Sequence, residues 1–442
     1  MKFYVHKLGC PKNDVDADYI SARLIDAGHE PVADPEQAES IVVNTCGFIL
    51  PAKEESINEI LRLGQLKRDG HLKTLYASGC LSQRYGDDLL KDIPELDGAF
   101  GLGALDSIAG AVGGNLHNDK TIKLEPRKLA YLSWKHRFIS DPYPWSYLKI
   151  SDGCDRGCTY CAIPGMRGRF RSRPLESILR EAAFLAENGK RELILVSQEA
   201  TLWGYDLPGH PTTLDLLREL EQLNGIEWIR LMYLYPAALT TEHIEYLAGD
   251  NKTLNYFDLP LQHVNTDILK GMRRQVTRPD IERILGRIRE ISTDAVVRTT
   301  FIVGFPGETE ERYVELRDFI EDYRFERMGV FTYSPEEGTP SEKYVGQIAE
   351  EVKEARLDEL MSLQREIAFE KNNSLIGHTV DVIIDSLSAE EPAVGRTRGD
   401  CPEIDQEVFV TGDNLAVGDI CAVRIDAADG YDLHGTKVGD VA

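Results

Sequence analysis

Short apolar runs and amphipathic stretches alternate along the first 115 residues. KFYVHKLG, SIVVNTCG and KTLYASGC are apolar and each ends in a turn. DADYISARLIDAGHE, PAKEESINEILRLGQLKRDG and SQRYGDDLLKDI read as the helices between and after them. This order predicts a parallel sheet flanked by helices. Residues 116–143, with Asp119, Pro126 and Pro142, have no clear period and read as a linker. From 144 to 334 six strand-like segments follow: WSYLKIS, ELILVSQ, WIRLMYLY, NYFDLPL, AVVRTTFIVG and RMGVFTY. Helical patterns separate them, among them LESILREAAFLAENG, TLDLLRELEQL, RPDIERILGRIREI and ETEERYVELRDFIEDY. Gly189 falls where the first of these should stop. Six β/α units predict a partial (β/α)6 barrel, shorter than the full eight-unit form. Residues 347–373 read as one long helix. After 374 the segments TVDVIID, VFVTGD and ICAVRIDA are short, β-branched and bounded by turns, which predicts a small all-β barrel or sandwich. The fold class is therefore α/β, in four stretches: 1–115, a linker 116–143, a barrel with its long helix 144–373, and a β part 374–442.

Composition narrows the function. The 442 residues are 42% hydrophobic and 28% charged, which is ordinary globular usage. No apolar run is long enough to span a membrane and MKFYVHKLGCPKNDVD is no secretory leader, so residence in the cytoplasm is expected. The net charge of −24 repels phosphate polymers on average and leaves a basic partner or a local basic patch open.

The eight cysteines carry the chemistry. In a large cytosolic chain they are not expected to form a disulfide framework. Three of the predicted strands end at a cysteine, at Cys10, Cys46 and Cys80. Ligands of open α/β sheets bind beyond the carboxyl ends of strands, so these three are expected to share a metal site. Cys154, Cys158 and Cys161 form a CxxxCxxC run directly after the first predicted barrel strand. Thiolates suit zinc or iron–sulfur clusters, and three of them on four irons leave one iron open. Cys421 lies in an apolar strand, and Cys401 in a polar loop before Pro402; neither is expected to be a ligand. Arg167, Arg169, Arg171 and Arg173 alternate and, if extended, share one face that would bind an anion or track an RNA backbone. Of the ten histidines only His263, at a predicted strand end, is flagged.

The CxxxCxxC run, with Tyr160 before its last cysteine, resembles the signature of radical S-adenosylmethionine (SAM) enzymes. That resemblance implies a 4Fe-4S cluster on Cys154, Cys158 and Cys161 whose open iron binds SAM. Ser197-Gln198-Glu199 ends the second barrel strand where relatives carry a Gly-Gly-Glu-like motif, and FIVGFPGET (301–309) follows the fifth. The resemblance places Tyr160, Gln198, Glu199, Arg298, Gly304, Gly307 and Glu308 against SAM. The segments around Cys10, Cys46 and Cys80 resemble the N-terminal domain of methylthiotransferases, where three cysteines hold a second 4Fe-4S cluster. LPLQH (259–263) and Met272-Arg273 resemble that family too, and the small β part resembles a TRAM domain. The likeness covers essentially the whole chain.

Two subclasses share this plan, one acting on adenosine in tRNA and one, RimO-like, on an aspartate of the small-subunit ribosomal protein S-twelve. LGCPKN (8–13) and VNTCGFI (43–49) resemble the RimO-like versions. Residues 372–442 hold fourteen Asp or Glu against four Lys or Arg, a net charge of −10, which repels phosphate and attracts a basic ribosomal protein. The resemblance implies that one SAM supplies a methyl group to a sulfur at the auxiliary cluster. A radical from a second SAM removes hydrogen from the aspartate β-carbon, and no side-chain base is assigned. An electron-donor protein is implied as a partner, and RNA contact stays open. The alternatives are tRNA methylthiolation, an iron–sulfur electron carrier and a zinc-stabilised binding module.

Overall fold

The computed structural model describes residues 1–114, 121–124, 137–388 and 390–441. Its first sheet is wholly parallel. The strands are β1 (Lys2–Lys7), β2 (Glu30–Pro31), β3 (Ser40–Thr45), β4 (Thr74–Gly79), β5 (Gly98–Phe100) and β6 (Thr121–Lys123), in the order β2-β1-β3-β4-β5-β6. Helices α1 (Pro11–Asp26), α2 (Leu50–Arg68), α3 (Cys80–Asp92) and α4 (Leu105–Val112) connect them. The central strand β3, SIVVNT, is buried along its whole length, as helices on both faces of a parallel sheet require. The sequence pattern missed β2, β5 and β6, which are too short to carry a period. β6 pairs with β5 inside the predicted linker, so that segment is partly sheet. Asp119 and Pro126 lie outside the described residues.

The central part opens with β7 (Trp145–Lys149) and a short antiparallel pair, β8 (Ser151–Asp152) and β9 (Arg171–Ser172). β10 (Glu192–Val196) and β11 (Trp228–Leu231) join β7 in one parallel sheet; β12 (Tyr256–Gln262), β13 (Val296–Val303) and β14 (Arg327–Thr332) form another. The Leu234 amide donates to the Asp258 carbonyl at 2.9 Å and the Leu254 amide to the Ile229 carbonyl at 2.8 Å, so the two sheets make one arc of six strands, the predicted partial barrel. Its helices are α5 (Ile163–Arg167), α6 (Leu175–Glu187), α7 (Thr213–Leu220), α8 (Thr241–Leu247), α9 (Thr266–Gly271), α10 (Arg278–Ile291), α11 (Glu310–Tyr323) and α12 (Glu350–Ser374). Gly189 follows α6 with φ of +83°, a conformation that ends helices.

Side chains alternate across the barrel strands. Leu193, Leu195, Ile229 and Leu231 face the helices, packing with Ile178, Leu185 and Leu217. Trp145, Tyr147, Ile194, Val196, Trp228 and Tyr256 face inward and meet Val15 and Tyr19 of α1 and Ile108 of α4. The barrel interior is thus closed by the N-terminal sheet's helices. Each of these fully buried apolar side chains contributes about 1.5–3 kcal/mol.

The last part is a closed barrel of β15 (Thr379–Ser386), β16 (Ala393–Thr397), β17 (Val408–Thr411), β18 (Ile420–Asp429) and β19 (Asp432–Asp440), ordered β15-β16-β17-β19-β18. β16 and β19 escaped the sequence reading because AVGRT and DLHGTKVGD carry glycine and charge instead of an apolar run. Cys421 is core, as expected. Cys401 corrects the reading of a polar loop: it is fully buried among the aromatic side chains of the large barrel. Among the described residues no helix is long and apolar enough to cross a membrane.

Candidate functional site

The parallel register sets the first three cysteines level. Lys7 pairs with Asn44 and Thr45 with Gly79, so β1, β3 and β4 end side by side. Cys10 caps α1, Cys46 follows β3, and Cys80 begins α3. Their turns touch. A Cβ at Gly9 would lie 2.7 Å from the Cys46 Cβ, one at Gly47 2.8 Å from the Leu81 Cα, and one at Gly79 2.6 Å from the Thr45 oxygen. Asn13 ties the turns together, donating to the Leu8 carbonyl at 2.9 Å and the Thr45 carbonyl at 3.1 Å. Ser56 brackets Cys46, accepting from its amide at 3.0 Å and donating to its carbonyl at 3.1 Å. Burial, reinforced by the neighbouring Cys10, pushes the Cys46 thiol up to about 12, and burial raises Cys80 as well.

Cys154, Cys158 and Cys161 occupy the loop between β8 and α5. Gly153, with φ of +81°, lies so close to the Arg169 carbonyl that no side chain fits. The loop is held from the opposite side of the barrel. The Thr159 amide donates to the Met272 carbonyl at 3.1 Å, its hydroxyl to the Gly271 carbonyl at 2.8 Å, and Arg274 Nη1 lies 3.8 Å from Cys158 Sγ. Tyr160 packs among Ile268, Met272, Phe305 and Tyr333. Burial pushes the Cys161 thiol up to about 12 and also raises Cys154. Neighbouring cysteines add to the raised proton affinity of Cys46 and of Cys161, and among the described residues no group of three His, Cys, Asp or Glu is placed to hold a metal ion.

The two trios share a wall. Ala162 and Met166, just after Cys161, pack against Cys80 and Leu102, with Phe48 and Ile163 beside them. Arg167, fully buried, donates to Asn13 at 2.7 Å, to Asp16 at 3.1 Å and to Asp152 at 3.2 Å. It therefore locks the first trio's turn to the strand that precedes the second. Lys149 also bonds Asp16. Lys53 and Arg84 both reach Glu336, after β14, at 2.8 Å.

The expected SAM contacts separate into two groups. Gln198 accepts from the Gly153 amide at 2.8 Å, while its buried Nε2 has no hydrogen-bond partner. Glu199 holds Arg156, the middle residue of the spacer between Cys154 and Cys158, at 2.8 Å. Arg298, by contrast, is paired with Asp258 at 2.8 Å and with Asp405 of the last part at 3.6 Å. Glu308 is fully buried, accepting from the Gly304 amide and facing Arg356 at 3.4 Å. At Gly304, φ of +76°, the space for a side chain is filled by Lys353. Gly307 donates to the Gly346 carbonyl at 3.1 Å. His263 is fully buried, accepts from the Asn265 amide at 2.9 Å and lies 3.7 Å from Glu308, so it serves the same turn.

The alternating arginines do not share a face. Arg167 ends α5, Gly168 turns the chain at φ of +80°, and only Arg171–Ser172 is strand. Arg167 and Arg173 are buried on carboxylates, whereas Arg169 is 90% exposed beside Asp155. Sequence reasoning missed Asn13, Asp16, Lys12, Tyr233, Tyr235 and Arg274. LGCPKN and the run after Met272-Arg273 were the signals that could have found the outer ones; nothing local marked Asp16.

Comparison with known proteins agrees with this geometry. The radical SAM superfamily profile matches residues 148–320, a TRAM domain matches 376–438, and the uncharacterised family UPF0004 matches 2–101. The chain is 42% identical to the ribosomal protein uS12 methylthiotransferase RimO of Clostridioides difficile, covering 100% of both chains. It is 43% identical to the protein of that name from Lachnoclostridium phytofermentans (99% and 100% covered), and 42% to that from Geobacter sulfurreducens (97% and 96%). Among solved structures, the radical SAM methyltransferase TsrM of Kitasatospora setae is similar in fold, with a TM-score of 0.56 at 17% identity, covering 77% of this chain and 73% of that one.

Proposed function

The chain belongs to the RimO family of ribosomal protein uS12 methylthiotransferases, and on that premise we propose that it replaces a hydrogen on the β-carbon of a uS12 aspartate with a methylthio group. It is a radical SAM enzyme, a transferase of a sulfur-containing group, and its cofactors are SAM and 4Fe-4S clusters. In this reading Cys154, Cys158 and Cys161 hold the cluster at which SAM is cleaved, and Cys10, Cys46 and Cys80 hold an auxiliary one. When bound, such centres supply an electron to SAM and a place for the sulfur to be attached. The donor sets fit: each offers three soft thiols, with Cys46 and Cys80 buried and the other four half-buried, whose ionisation a cluster's positive irons would favour.

The chain's own residues hold and orient these centres. Gly9, Gly47 and Gly79 let the three turns close on one another, and Asn13 and Ser56 fix their backbones. Gln198 presents an unpartnered buried amide next to the second trio, and it, Glu199 and Tyr160 are assigned to SAM. Arg298, Gly304, Gly307 and Glu308 support SAM's site from behind, since their partners are protein. The observation that carries the reading is the packing of Ala162 and Met166, which follow the second trio, against Cys80 of the first, which brings the two cysteine trios together. The division into a cluster-bearing part (1–115), a barrel with its helix (144–373) and a small β part (374–442), a protein electron donor, and action in the cytoplasm belong to the same proposal.

The TRAM match speaks for RNA near the substrate. The charge of −10 over residues 372–442 makes that surface a poor platform for a phosphate backbone and a good one for a basic ribosomal protein. The test is anaerobic turnover with SAM and a reductant, offering uS12 and tRNA in parallel, followed by mass spectrometry. A methylthio group on one uS12 aspartate is the expected product. Product on tRNA alone, or a colourless iron-free protein after anaerobic purification, overturns the proposal.

A further inference from the structure

Lys12 lies two residues after Cys10, on the first turn of α1, and is only 7% exposed. Among the described residues no carboxylate forms an ion pair with it. Its ammonium rests instead on the Tyr233 ring, 3.5 Å from the centroid. The other buried lysines and arginines behave differently. Lys149 and Arg167 hold Asp16, Arg137 holds Asp18, Arg173 holds Glu181, Arg230 and Arg396 hold Glu192, and Lys190 holds Asp141. Among the described residues the one other buried cation without a carboxylate is Arg274, which faces the Cys158 sulfur and the Tyr235 ring. A buried charge without a carboxylate partner is costly, and a tyrosine face offsets part of that cost. The Cys10 thiol faces it, but among the described residues no carboxylate does, so an acidic ligand brought from outside the chain would meet a ready counter-charge here.

Position identifies which anion. Tyr233 and Tyr235 lie just beyond the carboxyl end of β11, the end of a parallel barrel at which ligands bind. Tyr235 leads through Arg274 to Cys158, on the side assigned to SAM. Tyr233 leads through Lys12 to Cys10, on the side assigned to the sulfur-bearing centre. The carbon that receives sulfur must come to the second side. In an aspartate that carbon sits one bond from a carboxylate, whereas an adenine base carries no negative charge.

We infer that the Lys12 ammonium is the substrate-binding group that receives the carboxylate of the aspartate to be modified, and so selects an acidic side chain at this site. The inference rests on the protein-modifying reading above and names the residue that would make it specific.

The test measures binding of uS12 to the two-cluster enzyme, with the modified aspartate intact or changed to asparagine. Wild type is expected to prefer the aspartate form by about tenfold or more, the weight of a charge-assisted hydrogen bond. In Lys12→Met that preference disappears while iron content shows both clusters assembled; Lys12→Arg restores part of it. Lys12→Gln, closer in shape and polarity, replaces the methionine variant where that one does not fold. A wild type blind to the aspartate, a Lys12 variant that keeps the preference, or a variant that loses the iron of one cluster overturns the inference. A wild type that methylthiolates tRNA and not uS12 instead sinks the underlying reading, so the two failures are distinct.

Discussion

Glu192 Oε2, at the base of barrel strand β10, accepts a 2.9 Å hydrogen bond from Arg396 Nη2 on strand β16 of the small barrel. Its other oxygen accepts from Arg230 at 2.9 Å, and Arg396 also holds Asp385 at 2.9 Å. All four side chains are buried or nearly so. Removing one partner strands the others, so Arg396→Met is expected to cost about 3–5 kcal/mol in urea unfolding. A double variant, Glu192→Met with Arg396→Met, should lose less than the sum of the two single changes. Strict additivity would mean that the two side chains are not coupled.

Glu181 of α6 joins the barrel to α1. It holds Arg173 at 2.6 Å and Arg137 at 3.3 Å, and it accepts from Tyr19. Burial works against its charged form, but the two guanidinium groups outweigh it and keep the carboxyl below the usual 4.5. A carboxyl depressed in the folded state stabilises fully above its unfolded value and loses that contribution as pH falls through the folded one. The stability gap between wild type and Glu181→Gln should therefore be constant from neutral pH to about pH 5 and close below pH 4.5. Urea midpoints measured across that range check it, and a gap that widens on acidification contradicts the ion pair.

Gly79 has φ of +97° and ψ of −154°, a conformation essentially confined to glycine. Any Cβ there also meets the Thr45 carbonyl oxygen at 2.6 Å. Gly79→Ala should cost about 1–3 kcal/mol of strain and displace Cys80 from Cys46. The expected outcome is loss of the iron held by the first trio while that of the second stays, read by iron analysis and electron paramagnetic resonance after anaerobic reconstitution. Full iron content would show that this turn does not shape the site.

Replacing Cys154, Cys158 and Cys161 together with alanine removes three thiols from one loop and leaves the first trio's turns intact. The triple variant should retain half the iron and sulfide of the parent protein and form no deoxyadenosine from SAM. Loss of all the iron, or of none, would contradict two separate centres.

Much of this architecture was readable from local pattern. The six barrel strands stood out because buried parallel strands are continuous apolar runs bounded by turns, and the long helix because its charges repeat at helical spacing. The strands that were missed are either two or three residues long or, like β16 and β19, carry glycine and charge because a small closed barrel needs few apolar positions. Arg167–Arg173 misled for a related reason: alternation implies one face only if the backbone is extended, and Gly168 breaks it.

Which residues carry thiols, and that each lies where a strand gives way to a turn, follows from the order of residue types along the chain, because turn chemistry and apolar runs are local properties. Which thiols become neighbours does not. That depends on β1, β3 and β4 lying side by side in register, and on Asp16 meeting Lys149 and Arg167 from residues more than 130 positions away. The same long-range packing leaves Lys12 buried without a carboxylate partner while pairing nearly every other buried cation with one, since burial and the distance to an opposite charge exist only once the chain is folded.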